Sequence, residues 1–170
     1  MFRAVYFKLI SANKVASILG VQFGSNCLFR TKKFGSEPYL IKVGNNFKTA
    51  GNVQFVTHDG AVHVVRNLYD EYHSMDLIAP ITAGDNIFIG YGAVVLPGTV
   101  IGDNVIVGAG SIVKGQLKSN SVYAGVPVKY ICSIEDYIDR NKSSFMETKG
   151  LGREKKKEYI ENQLIKKGNI

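Results

Sequence analysis

From Ala83 to Val113 the chain repeats every six residues, and this period constrains the fold more than any other feature. Ala83, Ile89, Val95, Ile101, Val107 and Val113 stand at equal intervals. Gly follows several of them, as Gly84, Gly90, Gly102 and Gly108. Four positions on from each aliphatic come Ile87, Ala93, Thr99, Val105 and Ser111, which are small or β-branched. An earlier stretch keeps the same phase through Val43-Gly44, Thr49-Ala50 and Phe55, with Phe47 and Val53 four positions on. A helix wants a period of 3.6 and a simple strand a period of 2, and the Gly, Asn and β-branched content also disfavours helix. Six residues fit one short strand plus a corner. The aliphatic side chain points into a prism, and the residue four positions on fills the bend. Gly84-Asp85-Asn86 and Gly102-Asp103-Asn104 suit corners because these residue types tolerate turn geometry. Three such sides close one coil, and coils stack as a parallel β-solenoid.

The remainder of the chain is organised around this repeat. Looser hexads run from about Gly20 to Lys129, which places a solenoid domain over residues 20–132. Residues 1–19 read as an N-terminal cap, with a short amphipathic helix between Phe2 and Leu19 shielding the open edge of the first coil. Phe55 and Ala83 are not a multiple of six apart, so the stretch from about 58 to 78 is a loop excursion, and excursions of this kind carry function more often than coils do. After Pro127 the repeat ends. Residues 133–170 form a tail with helices over Ile134–Asn141 and Glu154–Lys167, separated by Lys149-Gly150-Leu151-Gly152.

Composition narrows the function classes. At 170 residues the chain is long enough to bury a core, and 45% apolar with 21% charged residues is a globular profile. No stretch approaches the roughly 20 apolar residues of a membrane span. Ala4-Val5-Tyr6-Phe7-Lys8-Leu9-Ile10 is short, carries a lysine and lacks a cleavage site, so it does not read as a signal peptide. Cys27 and Cys132 give no disulfide framework, and two buried free thiols fit a reducing cytoplasm. The net charge of +7 suggests nucleic acid less than its total implies. Much of the excess lies in Arg153, Lys155, Lys156, Lys157, Lys166 and Lys167, interleaved with Glu154, Glu158 and Glu161, which is the pattern of a wet helix face.

The histidines are His58, His63 and His73, all in or beside the excursion. His58 sits where a coil strand breaks out into the loop, so a rigid element carries it to an open space. That suits a general base, which needs accurate placement and a titration range near neutrality. His63 and His73 read as surface loop residues, and Asp59 as a turn residue, because sequence neighbours on an extended chain point to opposite faces. The residue that orients His58 is not legible at this level.

The repeat resembles that of the hexapeptide-repeat acyltransferases, whose coils wind as a left-handed parallel β-helix, and the closest likeness is to sugar and polysaccharide O-acetyltransferases. The general right-handed preference of parallel crossovers does not predict that hand, which comes from the resemblance. Asn52-Val53-Gln54-Phe55-Val56-Thr57-His58 resembles the segment that ends in the family's catalytic histidine before an inserted loop. Ser121-Val122-Tyr123-Ala124-Gly125-Val126-Pro127-Val128-Lys129 resembles the last coil of acetyl-CoA-dependent members. The resemblance implies that Lys114 and Lys129 meet phosphate, and that Tyr91, Ala109 and Gly115 line the pantetheine channel. Phe88 stands where some sugar acetyltransferases have tryptophan, which leaves the acetyl-end wall open. The implied chemistry is direct transfer from acetyl-CoA to a hydroxyl of a sugar-like acceptor, with His58 as base, a backbone N–H on the oxyanion and no metal. No nucleophile elbow suggests an acyl-enzyme.

Family members assemble as homotrimers with the CoA site between subunits. In the excursion, Tyr69, Asp70 and Tyr72 are candidates to stack on and hydrogen-bond a sugar. Two rival readings stand beside this one. A metal-dependent hydratase on the same solenoid uses three histidines, two of them spaced as His58 and His63 are, but no histidine precedes His58 here. A non-catalytic scaffold, docking through its basic tail, is the other.

Overall fold

A computed structural model describes residues 9–166 and shows a mainly β chain. Three sheets are visited in rotation. The first face holds β1 (Gln22–Phe23), β2 (Ile41–Val43), β7 (Ile81–Ala83), β10 (Val100–Ile101) and β13 (Gln116–Leu117). The second holds β3 (Lys48–Thr49), β8 (Ile87–Ile89), β11 (Val105–Val107), β14 (Ser121–Ala124) and β15 (Lys129–Ser133), and the third β4 (Gln54–Phe55), β9 (Val94–Val95) and β12 (Ile112–Val113). Val100 pairs in parallel with Thr82, Val105 with Ile87 and Ile112 with Val94, so from β7 onward the chain returns to each face after three hexads. Only β15 runs antiparallel within these faces, folding back on β14.

The hexad phase decides which side chains fill the interior. Ile89, Val95, Val107 and Val113 are fully buried, and so are Ala93, Thr99 and Ser111 at the bends. Burying a Val or Ile side chain contributes about 1.5–3 kcal/mol, and the repeat supplies such residues on every side. The buried hydroxyls are satisfied locally: Thr99 donates to the Leu96 carbonyl at 2.7 Å and Ser111 to that of Gly108 at 2.8 Å. Towards the N-terminus phenylalanine replaces valine. Phe29 meets Phe34 edge-on at 5.3 Å, and Phe34 stacks on Phe55 at 5.7 Å.

Corners are held by ladders of short polar side chains. Asp103 Oδ1 accepts the Asp85 N–H at 2.7 Å, and Asp85 Oδ1 accepts the Asn45 N–H at 2.7 Å. Asn86, Asn104 and Asn120 adopt left-handed backbone conformations, which Asn tolerates better than most residues. Their side-chain amides join in file, at 2.9 Å from Asn86 to Asn104 and 2.8 Å from Asn104 to Asn120.

Gly90 serves a different need, the close approach of adjacent coils. A Cβ there would lie 2.5 Å from the Ala109 nitrogen and 2.7 Å from the Val107 oxygen, and backbone cannot yield as a side chain can. Gly90→Ala should therefore cost about 3 kcal/mol, lowering Tm by about 6–12 °C in scanning calorimetry. An unchanged Tm would mean that the coils pack less closely than this.

Of the helix expected between Phe2 and Leu19, the described residues show one segment. It is α1 (Ala12–Ile18), whose N-cap Ser11 accepts the Lys14 N–H at 3.2 Å; residues 1–8 lie outside the described part. Val15 and Ala16 of α1 are buried in the core, and Asn13 bonds the backbone of Cys27 and Phe29. Cys132 is buried, whereas Cys27 is only half-buried, against the expectation of two buried thiols, because its thiol turns to the Gly44 carbonyl at 3.2 Å beside the exposed Ser25 turn.

The excursion leaves β4 through a short antiparallel stem, β5 (His58–Asp59) against β6 (Leu77–Ile78), and carries α2 (Val62–Leu68) and a single 3₁₀ turn over Asp70–Tyr72. The chain divides into compact units of residues 1–134 and 135–170. In the second, α3 (Ile134–Asn141) ends in a short 3₁₀ turn, and α4 (Arg153–Lys166) follows with no buried residue and Lys157 3.8 Å from Glu161. No described helix is long and apolar enough to cross a membrane.

Candidate active site

His58 lies at the corner between the third and first faces, where β4 gives way to the excursion. Its neighbour Thr57 is fully buried, and the Thr57 carbonyl accepts the Ala79 N–H at 3.0 Å, which closes the base of the excursion. Pairing of His58 with Ile78 extends the strand past the corner and fixes the direction in which the imidazole leaves the coil. The side chain keeps 30% exposure.

Each ring nitrogen faces a carboxylate. Nδ1 is 3.4 Å from Glu37 Oε1, and Nε2 is 3.2 Å from Asp76 Oδ1. Glu37 belongs to the preceding coil. Its segment runs beside β4, with the Phe55 N–H donating to the Lys33 carbonyl at 3.0 Å, and Phe34 anchors it by stacking on Phe55. Gly35, at φ +73°, then turns the chain over Thr57, where a Cβ would come 2.8 Å from the Thr57 hydroxyl. That turn places Glu37 over the corner. The Thr57 hydroxyl donates to Glu37 Oε2 at 2.9 Å and accepts the Glu37 N–H at 3.2 Å, while the Ser36 hydroxyl reaches Oε2 at 2.8 Å. Partial burial pushes the Glu37 pKa upward, but the hydrogen bonds from Ser36, Thr57 and His58 outweigh it and hold the carboxyl below its usual value. Glu37 is therefore a fixed anion against Nδ1. A neutral ring that donates from Nδ1 to it leaves Nε2 as the acceptor nitrogen.

Asp76 comes from the far side of the excursion and is fixed by Arg66 of α2. The guanidinium pairs with Asp76 through Nη2, and its Nε donates to the Met75 carbonyl at 2.6 Å. Glu37, Asp76 and Arg66 were not legible as site residues in the sequence. Once the corner of His58 is known, the one usable signal is a carboxylate about one coil upstream, in Gly35-Ser36-Glu37-Pro38.

The other excursion residues divide differently. Asp59 is a turn residue, its Oδ1 accepting the Ala61 N–H at 2.9 Å. His63 is exposed and meets Asn67 at 3.2 Å, and His73 is exposed beyond the 3₁₀ turn. Tyr69 and Tyr72 are exposed and pack edge-on to one another, with centroids 6.3 Å apart.

The five residues considered for CoA surround the third face without converging within one chain. Tyr91 and Ala109 stack on its leading edge, where the Gly110 N–H donates to the Tyr91 carbonyl at 2.8 Å and Asn52 donates to the Tyr91 hydroxyl. Lys114 and Gly115 lie on the trailing edge. The Leu96 N–H donates to Val113 at 2.9 Å and the Val56 N–H to Val95 at 2.8 Å, which sets Lys114 in register with Val56, two coils on, at the His58 corner. Lys129 follows the segment that closes the end of this face, where the Val128 N–H donates to Ile112 at 2.9 Å. Lys114 and Lys129 are both exposed. Phe88 stands elsewhere, on the outer side of the second face, in a groove of about 300 Å³ with Lys48, Asn104 and Ile106. Among the described residues no group of three or more His, Cys, Asp or Glu has the placement to hold a metal ion. Glu37 and Asp76 face opposite nitrogens of one ring.

Residues 84–115 match the family described as bacterial transferase hexapeptide (six repeats). The chain is 40% identical over 167 residues to Protein CapG of Staphylococcus aureus, covering 96% of this chain and 95% of that one. It is 39% identical over 100 residues to a galactoside O-acetyltransferase of Escherichia coli (strain K12), covering 59% of this chain and 47% of that one. A solved galactoside acetyltransferase in complex with coenzyme A shares the fold, at 24% identity and a TM-score of 0.55 over 83% of this chain and 86% of that one. The near full-length match to Protein CapG, joined to the repeat, shows that the chain belongs to the hexapeptide-repeat acyltransferase family.

Proposed function

We propose that the protein is an acetyl-CoA-dependent O-acetyltransferase that acts on a hydroxyl of a sugar or polysaccharide precursor, in the cytoplasm, with its coils wound as a left-handed β-helix. The observation that carries this is the His58–Glu37 pair on a rigid corner of a chain whose residues 84–115 match a transferase repeat. The acceptor hydroxyl donates its proton to Nε2 as its oxygen attacks the thioester carbon. A backbone N–H stabilises the oxyanion. The carbon–sulfur bond then breaks, and the proton passes to the departing thiolate, giving an ester and free CoA. Glu37 holds the ring tautomer and offsets the charge it gains.

The positions of Tyr91 with Ala109 and of Lys114 with Gly115, on opposite edges of one face, support a channel formed between neighbouring copies in a homotrimer. Each copy would lend one edge to each channel, and Lys129 would meet phosphate at its far end. The galactoside specificity of a relative and the exposed Tyr69 and Tyr72 support a sugar acceptor.

Calorimetric titration with acetyl-CoA tests this reading. Saturable binding near one site per chain is expected, and Lys129→Ala should weaken it by about tenfold, the loss of one charge-assisted phosphate contact. Folded protein that binds no acetyl-CoA would remove the donor assignment.

A further inference from the structure

One contact is not explained by base catalysis alone, the approach of Asp76 to Nε2 at 3.2 Å. Nε2 is the nitrogen that must receive the acceptor's proton, because Nδ1 is committed to Glu37. A carboxylate only accepts hydrogen bonds, so Asp76 holds Nε2 only in the form of the ring that carries a proton there. A nitrogen already carrying a proton cannot take one from a substrate. The form of His58 that meets a carboxylate through a proton on each nitrogen cannot act as a base, whereas the neutral form with Nε2 bare can. Asp76 is not there by chance of rotamer either. Arg66 grips it through the guanidinium and grips the preceding carbonyl through Nε, and the β5–β6 stem fixes the backbone two residues further on. All these partners belong to the excursion, the element whose exposed Tyr69, Tyr72 and Met75 are available to a ligand.

We propose that Asp76, held by Arg66, is a positioning residue for the acceptor, which occupies Nε2 until a substrate with two neighbouring hydroxyls replaces that contact. As Asp76 parts from the ring, the Nε2 proton leaves to solvent through the exposed side of the imidazole, and one hydroxyl then donates to the bare nitrogen and becomes the nucleophile. The adjacent hydroxyl donates to Asp76, which keeps a hydrogen bond while leaving the ring. A vicinal diol on a sugar ring fits this exchange. A simple alcohol has one O–H and meets only one of the two partners; water can donate to both, but it makes no further contact with the excursion to offset parting the ring from Asp76. The arrangement links acceptor recognition to availability of the base, and it protects the thioester from water before the acceptor arrives. This rests on His58 being the base.

The test is release of CoA thiol from acetyl-CoA with no acceptor present, where water oxygen attacks the thioester carbon and the products are acetate and free CoA. Asp76→Ala should raise this hydrolysis by at least about tenfold over the wild type, a fraction of what a general base can supply. Adding His58→Ala to it should abolish the gain. Arg66→Gln, which leaves the carboxylate in place but unpinned, should give an intermediate rise and serves if Asp76→Ala does not fold. With methyl galactopyranoside as acceptor, Asp76→Ala should raise KM by about tenfold, the loss of one hydrogen bond to a charged group, with kcat little changed.

Hydrolysis by folded Asp76→Ala or Arg66→Gln at the wild-type rate would overturn the proposal. If His58→Ala alone still abolished transfer, the base assignment would survive that result. Hydrolysis that persisted in the His58→Ala, Asp76→Ala double variant would overturn both.

Discussion

His58→Ala is expected to lower the rate of acetyl transfer by about 10²–10⁴-fold, the range of a positioned general base, while acetyl-CoA still binds. The two readouts separate because His58 meets Glu37 and Asp76, whereas the proposed donor contacts are Tyr91, Ala109, Lys114, Gly115 and Lys129. The imidazole is partly exposed, and its two carboxylate partners, Glu37 and Asp76, lie outside the apolar core. Its removal should therefore leave the thermal transition nearly unmoved. Single-turnover kinetics together with calorimetry would decide the point. A variant that turns over like the wild type would remove His58 as the base, and one that also lost acetyl-CoA binding would mean that the corner has collapsed.

The second large effect is expected at Glu37. Glu37→Gln keeps the side-chain length and removes the charge against Nδ1. The amide can present a donor to the ring, which favours the wrong tautomer, and it no longer offsets the imidazolium that forms as the acceptor loses its proton. A loss of about 10²-fold or more in kcat follows, by analogy with removal of the orienting carboxylate of a serine-protease triad, with KM for acetyl-CoA unchanged. Glu37→Asp retains the charge but is too short to meet Thr57 and His58 together, so it should recover only part of the rate. Equal kcat for Glu37→Gln and the wild type would show that Nδ1 is oriented by something else.

Glu37 also ties stability to acid. Its pKa is lowered in the folded chain, so the unfolded chain binds more protons as pH falls below the ordinary glutamate value. The contribution of Glu37 to stability is therefore present above about pH 4.5, the unfolded value, and is lost as pH falls through the lower folded value. Asp85, whose pKa is lowered chiefly by the Asn45 backbone N–H, acts in the same direction. In Glu37→Gln the Glu37 part disappears, so the stability difference from the wild type should narrow across that acid window.

How much of this was legible beforehand follows from which interactions are local. The hexad phase from Ala83 to Val113 identified the interior residues correctly because each coil buries the same positions, and a side chain's direction follows from its place in the repeat. Corners at Gly84-Asp85-Asn86 and Gly102-Asp103-Asn104 were readable for the same reason, since left-handed or tight backbone selects Gly, Asn and Asp. The break at His58 also came from periodicity, by its loss, and the helix expected over Ile134–Asn141, after the repeat ends, is present.

The sequence by itself thus determined the repeat, the interior, and the place where the chain departs from the coil. It also marked His58 as the residue at that departure. Only the tertiary structure decided what His58 touches. Glu37 reaches Nδ1 because a turn at Gly35 carries it over Thr57 from the coil before, and Asp76 reaches Nε2 because the excursion returns beside β5. Neither contact has a period. Each depends on the length of a loop and on one hydrogen-bonded register, and such long-range pairings leave no trace in the local pattern of residue types.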